Sequence, residues 1–197
     1  MTPVITGRPG RPAASTREAA LQLATKRFLA CDRIDVQAIA RELGLARATM
    51  HRWFQTREML VGEVLATLAE ARLLALREQT GGHGARALIE TFDNFNREVA
   101  ATPGMRALLA QEQERALRIL TSSAGLVQPR VVAAITRLID AEVDAGTYAA
   151  PIPTDVLAYS IARLGEAFIY NDALVGIRGD TERLRQVEAA LLGVRES

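Results

Sequence analysis

Disulfide chemistry is closed within this chain, because its only cysteine is Cys31. A lone thiol fits a reducing compartment, so the cytoplasm is the expected location, and Cys31 reads as a small helix-packing residue. Histidines number two, His51 and His83, far apart in sequence. With Cys31 they show no metal-ligand spacing. No glycine-rich phosphate loop follows a strand, and no Ser/His/Asp set sits at a recognisable turn. An enzyme, a metal and a cofactor are therefore not expected. No apolar run reaches the roughly 18 residues that a membrane span needs, and the start Met1-Thr2-Pro3-Val4-Ile5 lacks the basic-then-apolar order of a signal peptide. No membrane partner is expected. Strand-like alternation of Val, Ile and Tyr is almost absent.

What remains is a chain built for helices. It is 49% hydrophobic and 24% charged over 197 residues, enough to bury a core. Alanine, leucine and charged residues dominate from Thr16 onward, with apolar positions three and four apart. Ser15 or Thr16 can cap a helix to about Ala30, and Asp35 one from Val36 to Leu43, stopped by Gly44. A short helix is expected from about Ala46 to Trp53, and a long one, capped by Thr56, from Arg57 to about Gln79. After the break Gly81-Gly82-His83-Gly84, a helix is expected from Ala85 to Ala101. One or two follow between Met105 and Ser122, then one from Pro129 to Ala145, one from Thr154 to about Val175, and a last one, capped by Asp180 or Thr181, to Leu192. The fold class expected is all-α.

Charge divides the chain. The net charge is +1, yet residues 1–60 hold ten basic against five acidic residues and residues 61–197 hold fourteen against eighteen. A basic front on an acidic body suggests that only the front meets a polyanion. Three segments are expected: a flexible basic arm at 1–14, broken by Pro3, Pro9 and Pro12; a basic unit at 15–60; and an acidic body at 61–197.

The informative stretch is Val36 to Leu60. Two short helices flank a tight turn at Gly44, with Ile39, Ala40, Leu43, Leu45, Met50 and Phe54 facing inward. Small Ala40 lets the helices cross closely, and Gly44 tolerates the left-handed backbone of the turn. This is a helix-turn-helix pattern. Its second helix presents Arg47, Ala48, Thr49, His51 and Arg52 for duplex DNA, where Arg reads guanine or holds phosphate and Thr and His bond phosphate oxygens. In the arm, the repeated Gly-Arg-Pro of Gly7 to Pro12 offers Arg8 and Arg11 to a narrow minor groove.

These residues resemble the TetR family of repressors. The shared elements are Ile39-Ala40 with Gly44, then Thr49, the Trp53-Phe54 pair, and Arg57, Glu58 and Leu60. The resemblance implies that Arg57, at the start of the fourth helix, lies next to phosphate. Two positions depart from the family pattern. Ala46 stands where Ser or Thr often caps the recognition helix, and His51 where Tyr is usual. A histidine there is expected to make operator binding pH-dependent.

The resemblance further implies that 15–60 is a helix-turn-helix DNA-binding domain and 61–197 a ligand-binding and dimerisation domain, with a small-molecule pocket among helices four to eight. Apolar candidates for its wall are Phe92, Phe95, Met105, Leu108, Leu109, Leu117 and Leu120. Polar candidates are Asn94, Asn96, Arg97, Glu112 and Gln113. With no Arg or His cluster in this stretch, an uncharged, partly apolar ligand is expected. The body also resembles that of QsdR-type repressors, which implies a γ-lactone or acyl-homoserine lactone as effector. A homodimer is expected through the last two long helices, by Ile135, Leu138 and Ile139 and by Leu157, Ile161, Leu164, Gly165 and Phe168. Burial of both faces within one subunit is the alternative. Tyr170 suits either the ligand or the dimer seam. The function expected is a ligand-released repressor of operator DNA; a ligand-free architectural protein and an activator are the competing readings.

Overall fold

The computed structural model describes residues 16–171 and 180–194. The arm, with Arg8 and Arg11, lies outside them, as do the expected run of the penultimate helix to Val175 and its glycine breaks. Among the described residues there is helix and no strand. The first four helices are α1 (Arg17–Leu29), α2 (Val36–Glu42), α3 (Arg47–Phe54) and α4 (Arg57–Thr80). Next come α5 (Gly84–Ala101), α6 (Pro103–Gln111), α7 (Gln113–Thr121) and α8 (Val127–Asp144). Last are α9 (Thr154–Glu166), prolonged by a π-helical turn at Ala167–Asn171, and α10 (Thr181–Leu191).

Local chemistry sets the starts. Thr16 Oγ1 accepts from the Ala19 amide, Asp35 from Gln37 and Ala38, Thr56 from Met59, and Asp180 from Arg183. Each satisfies amide groups that the helix leaves without partners, which stabilises it by about 1 kcal/mol. The Ala38 amide, followed by the Gln37 amide, holds the Asp35 carboxyl below its ordinary pKa despite some desolvation. Pro103 sits in the first turn of α6, where its missing N–H costs nothing.

Two apolar clusters divide the molecule. One joins α1, α2, α3 and the first half of α4 to α6 and α7, with Ala20, Ile39, Met50 and Leu60 fully enclosed. The other joins the second half of α4 to α5, α8, α9 and α10, around Leu73, Leu88, Ile139 and Leu157. Helix α4 therefore runs unbroken through both, and the division expected at residue 60 falls inside it. The clusters correct two readings. Leu109 is buried on the head side, and Leu108 and Leu117 pack partly buried against that cluster. Cys31 is not a packing residue: it is exposed, with φ +61, in the turn that ends α1.

Close contacts weld the layers. A Cβ on Gly104 would lie 2.4 Å from the Phe28 carbonyl oxygen, so α6 approaches α1 more closely than any side chain allows. At the far end, Glu142 of α8 accepts from the Gly84 amide at 2.6 Å and from Thr147 Oγ1 at 2.6 Å, and it also pairs with Arg77 of α4. These donors outweigh desolvation and lower its pKa to about 2.

Candidate DNA-reading surface and effector cavity

The helix-turn-helix forms as its sequence dictates. Gly44 takes φ +63 after α2, and the Leu45 amide donates back to the Ala40 carbonyl at 2.8 Å. α3 drives Met50 and Phe54 into the head cluster and leaves Arg47, Ala48, His51 and Arg52 exposed, with Thr49 half-buried. Trp53 stands edge-on to Phe54 at 6.4 Å, and Arg17 of α1 lies 5.0 Å over the Phe54 ring while pairing with Glu63 of α4. The reading helix is thus pinned from behind. The Arg47, His51 and Arg52 side chains make no hydrogen bond or ion pair among the described residues. Ala46 supplies no side-chain cap, so the first amides of α3 stay open to solvent.

Arg57 does not join them. Its Nε donates to the Ile34 carbonyl at 2.6 Å, and Nη1 reaches Glu112 Oε2 at 2.6 Å. Glu112, at the joint between α6 and α7, also holds Arg33 Nε at 3.0 Å. Both sequence expectations fail for one reason. The carboxylate expected in the pocket wall and the cation expected on phosphate neutralise each other where the head meets the body.

A cavity of about 280 Å³ lies in the body beside α4. Its wall is mostly apolar: Leu65, Leu68 and Leu73 from α4, Phe92 and Phe95 from α5, Met105, Leu120, and Ile135 and Ile161 from α8 and α9. Phe28 of α1 also reaches it, so the head contributes directly to the wall. Of the sequence candidates, Phe92, Phe95, Asn96, Met105, Leu120 and Tyr170 line it, whereas Leu108, Leu109, Leu117 and Glu112 do not. Asn94, Arg97 and Gln113 are exposed and off its wall. The π-helical turn at the end of α9 carries Ile169 and Tyr170 into the wall, in keeping with the use of such turns at functional sites.

Among the polar groups in the wall, Asn96, Gln128 and Glu188 are buried. Asn96 Nδ2 donates to both carboxyl oxygens of Glu188, at 3.0 and 3.2 Å. Burial pushes Glu188 up to about 8, helped by the charge of Asp93 and opposed by Asn96 and Arg185. Burial also raises Glu166, against its Arg163 partner and a bond from Gln128. The Tyr170 hydroxyl is raised by burial and by neighbouring Glu166. At the exposed rim, Arg72 and Glu98 form a two-bond pair at 2.5 Å. Sequence reasoning missed Glu188, Glu166 and Gln128. Glu188 did leave a signal, since it sits four residues after Leu184 and four before Leu192 on an otherwise apolar stripe.

The residues expected at a dimer seam are mostly spent inside the subunit. Ile135, Leu138, Ile139, Leu157, Ile161 and Gly165 are buried, and Ile135, Ile161 and Gly165 line the cavity. Leu164 and Phe168 remain half-buried. The apolar stripes of α8 and α9 face α4, α5 and each other, so the alternative of burial within one subunit holds for them.

Residues 83–193 match the family described as Tetracyclin repressor-like, C-terminal domain. The chain belongs to this family. Among solved structures it is similar to the transcriptional repressor QsdR of R. erythropolis, a TetR-family protein, at 26% identity and a TM-score of 0.85, covering 92% of this chain and 96% of that one. It is also similar to AlkX of Dietzia sp., a TetR-family repressor implicated in biodegradation of n-alkanes. There the identity is 21% and the TM-score 0.59, over 91% of this chain and 99% of that one, which shows the shared fold alone. No curated protein matches the chain by sequence. The all-α fold is thus that of a TetR-family regulator, with an N-terminal helix-turn-helix domain and a family C-terminal domain. No described helix is long and apolar enough to cross a membrane.

Proposed function

We propose that this protein is a repressor that grips operator DNA as a homodimer and lets go when a small, uncharged, largely apolar molecule fills the cavity. The observation that carries the reading is the shared wall. Phe28, from the helix that backs the DNA-reading unit, borders the same cavity as α4, α5 and the π-helical turn. A ligand there has different contacts in two positions of the head, and only such a difference can shift the equilibrium between them.

On the DNA side, Arg47, Ala48, Thr49, His51 and Arg52 are the proposed contacts, with Arg8 and Arg11 of the arm in the adjacent minor groove. On the dimer side, α8 and α9 keep their role with a different face. Val156 and Tyr159 stand about half exposed and, with Val143 and Ile152, leave apolar surface unpaired. Burying it against a second copy would place two reading helices on one face of the duplex, about 34 Å apart. A γ-lactone or acyl-homoserine lactone, the effector implied by the QsdR-type resemblance, suits a largely apolar wall with a few polar groups. The test has two readings. Thermal melts with γ-decalactone and with hexanoyl-homoserine lactone should show stabilisation, since binding to the folded form must stabilise it. The same compounds should release a duplex selected by the protein. Duplex release without any ligand, or ligand binding that leaves DNA affinity unchanged, overturns the reading.

A further inference from the structure

The cavity wall holds one polar device that its apolar lining does not explain. Glu188 has no exposed surface, and the hydrogen bonds it receives among the described residues come from Asn96 alone. A buried carboxyl without a close cation is costly unless it keeps its proton or meets a ligand. The surrounding charges favour the proton. From α5, Asp93 repels the carboxylate, and Arg97 is taken up by Asp93 and Glu182. From α10 itself, Arg185 attracts the carboxylate, as the Asn96 bond does, and lies 3.8 Å from Asp93. From α9 and the π-helical turn come Glu166, already paired with Arg163, and the un-ionised Tyr170.

We propose that Glu188 and Asn96 form the polar anchor of the effector cavity, where the Glu188 carboxyl donates a hydrogen bond to the carbonyl oxygen of a neutral ligand. The proposal rests on the cavity being the effector site and specifies what it selects. An anion is disfavoured, because Arg72, the one basic side chain in the described wall, is neutralised by Glu98. A cation would have to ionise a carboxyl that its neighbours hold protonated. A carbonyl oxygen can accept the Glu188 proton, while Phe92, Phe95 and Leu73 enclose the ligand's hydrocarbon part.

Calorimetric titration of the full chain with four ten-carbon probes tests this: 2-decanone, butylbenzene, decanoate and decylammonium. At pH 7 the ketone should bind best. With Glu188 free to ionise at about 8, ketone affinity should fall about tenfold between pH 7 and pH 9, as the donor is lost. Glu188→Gln, which keeps an N–H donor, should hold ketone affinity within about threefold and abolish that pH dependence. Glu188→Leu should weaken the ketone about tenfold or more and leave butylbenzene unchanged, which also reports that the variant is folded. The anchor is wrong if decylammonium or decanoate outbinds the ketone, if the Gln variant keeps the pH dependence, or if the Leu variant binds the ketone normally. Butylbenzene binding as well as the ketone sinks the anchor but leaves the cavity as a ligand site. Silence from all four probes removes both.

Discussion

Replacing Glu142 by glutamine should cost this protein a large share of its stability. Glu142 ties the end of α4, the start of α5 and the end of α8 together through Arg77, the Gly84 amide and Thr147. Its side chain is 6% exposed, so solvent screens these bonds little. Folding lowers its pKa from an ordinary glutamate's 4.5 to about 2. At about 1.4 kcal/mol per pKa unit, that drop corresponds to about 3 kcal/mol of folded-state stabilisation at neutral pH. Because the folded value is depressed, the contribution is complete above pH 4.5 and disappears as pH falls towards 2. Glutamine removes the charge and turns an N–H₂ towards donors. In a chain of this size 1 kcal/mol moves the melting temperature by about 2–4 °C, so the variant should melt roughly 6–12 °C lower at pH 7. Melts and urea titrations of both proteins at pH 7, 5, 4 and 3.5 are the assay. The gap between them should close as pH falls. Equal melting at pH 7, or a gap that stays constant down to pH 3.5, refutes the reasoning.

Other positions yield equally direct outcomes. Gly104→Ala must push α6 off the Phe28 carbonyl and should destabilise the protein by about 1–3 kcal/mol in denaturant titrations. Ala162→Phe, which fills part of the cavity, should abolish stabilisation by γ-decalactone in thermal melts. Glu112→Ala leaves the partly buried Arg57 without its carboxylate and should cost about 1–3 kcal/mol. The same variant should also weaken ligand-driven release of DNA, because Glu112 links the head to α6 and α7. His51→Ala should weaken operator binding in anisotropy titrations, because His51 is exposed on the reading face of α3; unchanged affinity would remove the histidine's role.

Much of this architecture is written locally. Thr16, Asp35, Thr56 and Asp180 each cap the helix they precede, and Gly44, Gly81 and Gly146 end or follow helices with positive φ. The inward face of the helix-turn-helix was legible because its partners lie within thirty residues of one another. Long-range choices were not. Periodicity marks Leu108, Leu109 and Leu117 as apolar, but only the turn at Glu112 decides that α6 and α7 pack towards the head. The stripes on α8 and α9 looked like a dimer seam because a helix buried inside a subunit and one buried between subunits present the same pattern. The Arg57–Glu112 pair joins positions 55 residues apart, and nothing in either neighbourhood announces it.

The central claim is that α3 enters duplex DNA twice per dimer, and sequence selection from a randomised duplex pool tests it most directly. The wild-type chain should enrich a two-fold symmetric site with half-site centres about one helical turn apart, and the Arg47→Ala, Arg52→Ala double variant should enrich nothing. Enrichment of the same site by that double variant, or of a single unpaired half-site by the wild type, would contradict it.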